Sequence, residues 1–132
     1  MSTPKLHLYL LTGACSMAPH ILLREAGLNY DKTMFTRDEV IKNGGYSAEY
    51  LKINPKAKVP TLKVNDEIIT ESLAIFMIIS QLVPEKNYLG KTPMQTVRAY
   101  EWLGYLGSQV HGQGFGTLCL DVCCVVLPAI NN

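Results

Sequence analysis

Residues 6–20 read LHLYLLTGACSMAPH, an apolar run that passes through a glycine into a cysteine. The apolar residues 6–11 predict a short buried strand, and a Thr-Gly pair ends it. The residues after it predict a helix that Ser16 can cap and that ends at Gly27. Cys15 therefore lies at a helix N-terminus, where unpaired backbone N–H groups and the helix dipole stabilise a thiolate. This arrangement is typical of a reactive thiol; a buried inert cysteine is the alternative.

The same alternation of strands and helices continues to residue 83. The predicted elements are strands at 30–35 and 59–64, a hairpin turn at 65–66 into 68–69, a short helix at 47–51 and an apolar helix at 72–82. Residues 36–45 read as a loop or a weak helix. The resulting order, β-α-β-α-β-β-α, predicts an α/β (α+β) fold in which helices cover a central mixed four-stranded sheet.

After residue 84 the alternation of strands and helices ends. The predicted division is a domain at 1–84, a linker at 85–91, the first part of a helical domain at 92–116 and an atypical apolar, cysteine-rich tail at 117–132. Thr92 and Gln95 predict a capping box around a proline at the first helical position. We expect this helix to run through Leu106 towards His111, where the Gly-Gln-Gly run at 112–114 interrupts it.

The composition excludes several classes of protein. The chain has 132 residues, 48% of them hydrophobic, and a net charge of +1 from 12 basic and 11 acidic residues. No basic patch predicts nucleic-acid binding, and no apolar stretch is long enough to span a bilayer. Residues 1–5 lack the apolar core of a secretory signal, so we expect a cytoplasmic protein. Three of the four cysteines crowd into 119–124 without the spacing of a zinc site, so no metal is predicted.

Three motifs resemble those of the glutathione S-transferase N-terminal domain, and the closest pattern is that of the bacterial beta class. The first comprises 13–16, 18–21 and 24–28, the second 53–56 with 59–60, and the third 70–72 with 74–75. The resemblance extends to about residue 116 and implies a thioredoxin-like domain followed by part of an all-helical domain. It also implies glutathione as a substrate, a small electrophile as the second substrate, a homodimer and a role in detoxification.

The second and third motifs imply a site for the backbone and the γ-glutamyl end of glutathione. In this family a proline at Pro60 would be cis, which leaves the N–H and C=O of Val59 to pair with a peptide. The alternative is that Val-Pro only begins an edge strand. Ser72 and the N–H groups of the helix start can hold a carboxylate, while Glu71 can pair with an ammonium group. These two residues can also serve as a helix cap, and both roles can hold together.

The resemblance makes Cys15 the catalytic candidate, beside the glutathione sulfur. Ser16 is a second candidate donor to a thiolate, since some classes use a serine in this loop. The position three residues after the cysteine is Ala18, which excludes a dithiol cycle and leaves only monothiol chemistry. His111 resembles a histidine that faces the thiol site in the beta class, and Lys42 falls where that class has a lysine for the glycyl end of glutathione.

Two functions remain open. The first is a glutathione S-transferase that conjugates the thiol of glutathione to small electrophiles. The alternative is a truncated glutathione-binding protein that exchanges disulfides through Cys15 and has no competent electrophile site. The resemblance ends near Gly116, while the second domain of the family normally continues with further helices. We therefore expect a truncated or alternatively terminated product.

Overall fold

The computed structural model describes residues 4–116, which fall into two compact units divided between Tyr88 and Leu89. The first unit contains β1 Leu6–Leu11, α1 Met17–Ala26, β2 Asp31–Phe35, α2 Arg37–Lys42, α3 Ala48–Ile53, β3 Thr61–Val64, β4 Glu67–Thr70, α4 Ser72–Leu82 and a 3-10 helix at Pro84–Lys86. The second contains α5 Pro93–Tyr105 and a π-helical segment at Leu106–Phe115. The predicted cysteine-rich tail at 117–132 lies outside the described residues. No helix within residues 4–116 is both long and apolar enough to cross a membrane.

The four strands form one mixed sheet in the order β2-β1-β3-β4. β1 runs parallel to β2 and antiparallel to β3, with Leu8 opposite Leu62, and β4 runs antiparallel to β3. This sheet, with the helices around it, confirms the predicted thioredoxin-like fold. The end of β1 at Leu11, the beginning of β3 at Thr61 and the end of β4 at Thr70 consequently lie at the same edge. We call this edge of the sheet the site edge.

The main core lies on one face of the sheet. Alternate residues of β1 are buried there because successive side chains of a strand point to opposite faces. The core residues that are almost fully buried are Leu6, Leu8, Leu10, Leu23, Leu62, Ile75 and Ile79. α1 and α4 supply the helical members of this set, so they cover that face. The opposite face carries aromatic side chains, with the ring of Tyr9 centred 5.4 Å from that of Tyr50 in α3.

The helices of the first unit follow the sequence pattern closely. α4 begins and ends at the predicted residues. The segment 36–45, which could be a loop or a weak helix, contains α2. The helix forms because Thr36 Oγ1 accepts a hydrogen bond from the Glu39 backbone, while the Glu39 carboxylate accepts one from the Thr36 N–H. This capping box satisfies two N–H groups that a short helix otherwise leaves unpaired.

The strand boundaries shift by one or two residues. β2 begins at Asp31 instead of residue 30, and β3 begins at Thr61 instead of residue 59. Pro60 cannot donate a hydrogen bond to the sheet because it has no N–H, so the ladder of β3 starts after it. The hairpin turn between β3 and β4 is confirmed, with Asn65 at φ 55.

The helix of the second unit begins as predicted but continues farther. Thr92 Oγ1 accepts a hydrogen bond from the Gln95 N–H, and the Gln95 side chain accepts one from the Thr92 N–H, which confirms the capping box. The glycines at 112–114 do not interrupt the helical backbone, contrary to the prediction, because it continues in the wider π-helical winding. A Cβ atom at Gly112 would lie 3.3 Å from the Gly107 carbonyl oxygen, so the absence of a side chain favours this winding.

Candidate functional site

Cys15 lies in the turn that joins β1 to α1, at the site edge. Gly13 turns the chain after β1 with φ 73, a left-handed conformation that glycine adopts without steric cost. The half-buried thiol of Cys15 donates a hydrogen bond to the Val59 carbonyl oxygen across 3.3 Å, although the two residues are 44 positions apart in sequence. The thiol therefore lies at a backbone group that the second motif predicts as a partner for a bound peptide.

The loop that carries Val59 is held by buried polar side chains. The Val59–Pro60 peptide bond is cis, as the resemblance implies. The Tyr50 hydroxyl donates to the Lys58 carbonyl oxygen at 2.6 Å, and Asn54 Nδ2 donates to the same oxygen at 2.8 Å and to Thr61 Oγ1 at 2.9 Å. Burial raises the pKa of Tyr50, and its hydrogen bond with Thr61 opposes that rise. The sequence reasoning missed the roles of Tyr50 and Asn54, because only the folded loop brings both to Lys58.

Tyr46 belongs to a group of aromatic side chains that pack against one another. The ring of Tyr46 is centred 5.0 Å from that of Phe35 and 5.0 Å from that of Tyr50. Burial, together with the neighbouring Tyr50 and Cys15, raises the pKa of Tyr46 to about 12, so its hydroxyl stays protonated at neutral pH. The sequence reasoning missed this residue, because no motif separates it from the other tyrosines.

Glu71 and Ser72 lie where β4 ends and α4 begins. Glu71 occupies the N-cap position of α4 with φ 71, and its carbonyl oxygen accepts from the Ile75 N–H, but its side chain makes no capping hydrogen bond. Its carboxylate instead accepts a hydrogen bond from Lys56 Nζ at 3.1 Å, and Lys56 also donates to Thr70 Oγ1 at 3.1 Å. The half-buried Ser72 hydroxyl makes no hydrogen bond within residues 4–116. The start of α4 can therefore accept a ligand carboxylate.

Comparison with known proteins decides the family. The family model described as glutathione S-transferase, N-terminal domain, matches residues 4–81. The chain belongs to the glutathione S-transferase family. It is 35% identical over 115 residues to the glutathione S-transferase GstA of Escherichia coli O157:H7, and this match covers 84% of the chain and 55% of the relative.

Solved glutathione S-transferase structures are similar to this chain in fold. A glutathione transferase homologue from Sulfitobacter, solved with bound glutathione, is 30% identical with a TM-score of 0.71, over 81% of this chain and 50% of that one. The glutathione S-transferase from Xylella fastidiosa is 29% identical with a TM-score of 0.74, over 86% of this chain and 54% of that one. This chain spans about half the length of the glutathione S-transferase relatives that it matches.

In this member of the glutathione S-transferase family, the Ser16 side chain makes different hydrogen bonds from those that the sequence predicts. It does not cap α1 with its side chain. Its hydroxyl donates to the Leu11 carbonyl oxygen at 3.1 Å and accepts from the Leu11 N–H at 2.9 Å, and the residue is fully buried. A hydroxyl held in this way ties the turn carrying Cys15 to the end of β1. The Ser16 hydroxyl proton is engaged by Leu11 in this structure, and its role as a donor to a thiolate stays a prediction.

Two further predicted site residues, Lys42 and His111, take no part in the hydrogen bonds described above for the site edge. Lys42 is the last residue of α2, and its exposed side chain makes no hydrogen bond or ion pair within residues 4–116. His111 is exposed and belongs to the π-helical segment of the second unit. Their roles at the glutathione S-transferase site stay predictions.

Proposed function

We propose that this chain binds glutathione at the site edge and that the protein transfers the glutathione thiol to small electrophiles. The observation that carries this proposal is the 3.3 Å hydrogen bond from Cys15 Sγ to the Val59 carbonyl oxygen. It brings a thiol at a helix N-terminus together with backbone groups to which an extended peptide can be added alongside β3.

The proposed binding mode uses each chemical group of the tripeptide. The cysteinyl residue pairs with the N–H and C=O of Val59, and the Cys15 S–H moves off that carbonyl as it arrives. The γ-glutamyl end carries a carboxylate and an ammonium group on the same carbon. Ser72 and the N–H groups of α4 take the carboxylate, and Glu71 takes the ammonium group. Lys42 is proposed for the glycyl carboxylate.

The proposed transfer needs glutathione as its thiolate. The glutathione thiol gives its proton to solvent water, the thiolate attacks the electrophilic carbon, and the leaving group departs with its bonding electron pair. The positive end of α1 stabilises the thiolate, and the fixed peptide orients it. Cys15 and His111 are proposed to face the sulfur, while Ser16 positions the turn.

A second candidate function is disulfide exchange by a single protein thiol. The observation that favours it is the half-buried, reduced Cys15 thiol, and Ala18, three residues later in α1, limits the exchange to a single protein thiol. The Cys15 thiolate attacks the glutathione sulfur of a mixed disulfide and releases the other partner as a thiolate. A second glutathione thiolate then attacks the protein–glutathione disulfide. This step releases glutathione disulfide and restores the Cys15 thiolate.

Two assays separate these functions. We would use a background in which Cys119, Cys123 and Cys124 are replaced by serine, so that Cys15 is the remaining thiol. Chloride release from chlorodinitrobenzene measures transfer, and reduction of a glutathione mixed disulfide measures exchange. Calorimetry with S-methylglutathione measures peptide binding without a thiol. We expect Cys15→Ala to abolish exchange and to leave the S-methylglutathione affinity unchanged.

Controls distinguish the two functions from each other and from a failure of the proposed site. Restoring Cys119 in the Cys15→Ala variant should not restore exchange, because the activity depends on the position of the thiol. Exchange without chloride release in the parent chain would assign the second function. Failure of the parent chain to bind S-methylglutathione would overturn the proposed site altogether.

The proposal extends to assembly and location. We propose a homodimer, as in the family, and a cytoplasmic location, where Cys15 would stay reduced. Support for an assembly comes from α5, on which Met94 is 63% and Trp102 is 61% exposed. Light scattering with and without glutathione measures the mass in solution. A monomer at every protein concentration would contradict the dimer.

A further inference from the structure

A surface cavity lies between the C-terminal half of α1 and the beginning of β2. Its volume is about 320 Å³, and its lining residues are Arg24, Leu28, Asn29, Tyr30 and Lys32. Four of these side chains carry hydrogen-bond donors, and Leu28 offers an apolar surface. The volume is at the lower end of the range of small-molecule sites. The lining is mainly polar and positively charged, which favours a polar, anionic ligand over an apolar one.

This cavity is separate from the proposed glutathione site. β2 runs parallel to β1, and its first residue, Asp31, pairs with His7 near the beginning of β1. Cys15 follows the other end of β1, at the site edge. The two places are therefore at opposite ends of the parallel strand pair, and a ligand in one does not occupy the other.

Two positive charges converge on this cavity. Arg24 and Lys32 are both exposed, and neither forms an ion pair within residues 4–116. Burial lowers the pKa of His20, and the charges of Lys32 and then Arg24 lower it further. Arg24 also opposes the rise that burial causes in the pKa of Tyr30. Both cations thus act on His20, and neither has a carboxylate partner within residues 4–116.

A buried polar atom beside the cavity also lacks a partner. The Nε2 atom of His20 is buried and makes no hydrogen bond within the described part of the chain. The imidazole ring packs edge-on against Tyr30, with the ring centroids 5.9 Å apart. Buried polar atoms without a partner are rare in folded proteins, and each calls for an explanation such as a bound water or ligand. His20 does not itself line the cavity, and its ring contributes by packing against Tyr30, which does.

We propose that this cavity binds the phosphate monoester of a small organic molecule. Arg24 holds the phosphate with its guanidinium fork, and Lys32 adds a second positive charge. Asn29 and the Tyr30 hydroxyl complete the donor set. A bare phosphate leaves most of the cavity empty, so the organic part of the ester packs against Leu28.

Two sources of negative charge lie near the cavity, and both are compatible with a bound phosphate. The C-terminal end of α1 carries partial negative charge, but Gly27 and Leu28 already donate backbone hydrogen bonds to the carbonyls of Arg24 and Leu23. Asp31 precedes Lys32 in β2, and side chains of successive strand residues point to opposite faces of the sheet. Its carboxylate is therefore directed away from the face on which Lys32 and α1 lie.

Amide NMR spectra of the full chain test the proposal. We would titrate the protein with ribose 5-phosphate, and separately with ribose and with inorganic phosphate. We expect ribose 5-phosphate to give saturable shifts at residues 28–32 and not at 13–18, ribose to give none, and inorganic phosphate to bind more weakly. Arg24→Gln and Lys32→Gln should each weaken ribose 5-phosphate binding on the order of ten-fold, as expected for the loss of a charge-assisted contact.

Matched variants exclude a general charge effect. Arg98→Gln and Lys52→Gln remove one positive charge each at exposed positions outside the cavity, and they should leave the affinity unchanged. Equal weakening by these controls would overturn the proposal, as would the absence of a saturable shift. Inorganic phosphate that binds as tightly as the ester would overturn the monoester assignment. All four side chains are exposed, so the variants should remain folded.

Discussion

Lys56 Nζ lies 3.1 Å from Glu71 Oε1 and joins the loop before β3 to the residue before α4. The side chains are 55% and 70% exposed, so the pair contributes little to the free energy of unfolding. The ion pair matters instead for the position of the Glu71 side chain. The Glu71 carboxylate is held at the site edge, next to the N–H groups of α4, where the ammonium group of glutathione is proposed to bind.

Glu71→Gln should reduce the affinity for glutathione on the order of ten-fold, because the amide keeps the shape of the side chain but loses its charge. The urea midpoint of unfolding should stay the same, since the carboxylate is exposed. Calorimetry with S-methylglutathione measures the affinity. Glu67→Gln, at an exposed position on β4, is the matched control. If Glu71→Gln leaves the affinity untouched, the proposed γ-glutamyl contact is wrong.

Tyr50→Phe should lower the free energy of unfolding by about 1–2 kcal/mol, because it removes a buried hydroxyl from its partners. That hydroxyl lies 2.6 Å from the Lys58 carbonyl oxygen and 2.8 Å from Thr61 Oγ1. Urea unfolding followed by circular dichroism measures the change. Tyr105→Phe is the control, because Tyr105 is 52% exposed and should show no effect. Equal stability of the two variants would contradict the role of the buried network.

Tyr46 should titrate at about pH 12 in the folded protein, because burial and the neighbouring Tyr50 and Cys15 oppose its ionisation. A phenol whose pKa is raised by folding stabilises the fold fully below about pH 10. That contribution is then lost as the pH rises towards about 12. Cys15→Ala should lower the pKa of Tyr46, because it removes one of the groups that oppose the ionisation of this phenol. NMR of ring-labelled tyrosine measures the titration, and an unchanged value in Cys15→Ala would show that the two residues do not interact.

Glu39 should titrate below its ordinary range, because the hydroxyl and then the backbone N–H of Thr36 stabilise its carboxylate. A carboxylate whose pKa is lowered by folding stabilises α2 above the unfolded pKa. That stabilisation is lost as the pH falls through the folded value. Thr36→Ala should therefore raise the pKa of Glu39 towards its ordinary value, as NMR of the carboxyl group can measure. The same titration with Thr96→Ala provides a control in the second unit.

Helix propensity, capping residues and turn residues, which act between neighbouring positions, were sufficient to predict much of the fold. Residues 72–82 form the predicted helix because their composition is apolar and a proline follows, and Thr92 with Gln95 forms the predicted capping box. The strand through Leu11 and the turn at Gly13 also follow from neighbouring residues. Local rules failed at 112–114, where glycine propensity predicts a break and the backbone continues as a π-helix.

The sequence by itself determined the order of the strands and main helices and a thiol just before a helix, because hydrophobic period, capping and turn residues act over a few neighbouring positions. Only the tertiary structure decided which groups meet. Cys15 and Val59 come together because β1 and β3 are adjacent and antiparallel, and the same sheet order brings Lys56 to Glu71. It also separates Cys15 from the cavity at Arg24. Such contacts depend on the packing of distant segments, which no local pattern contains.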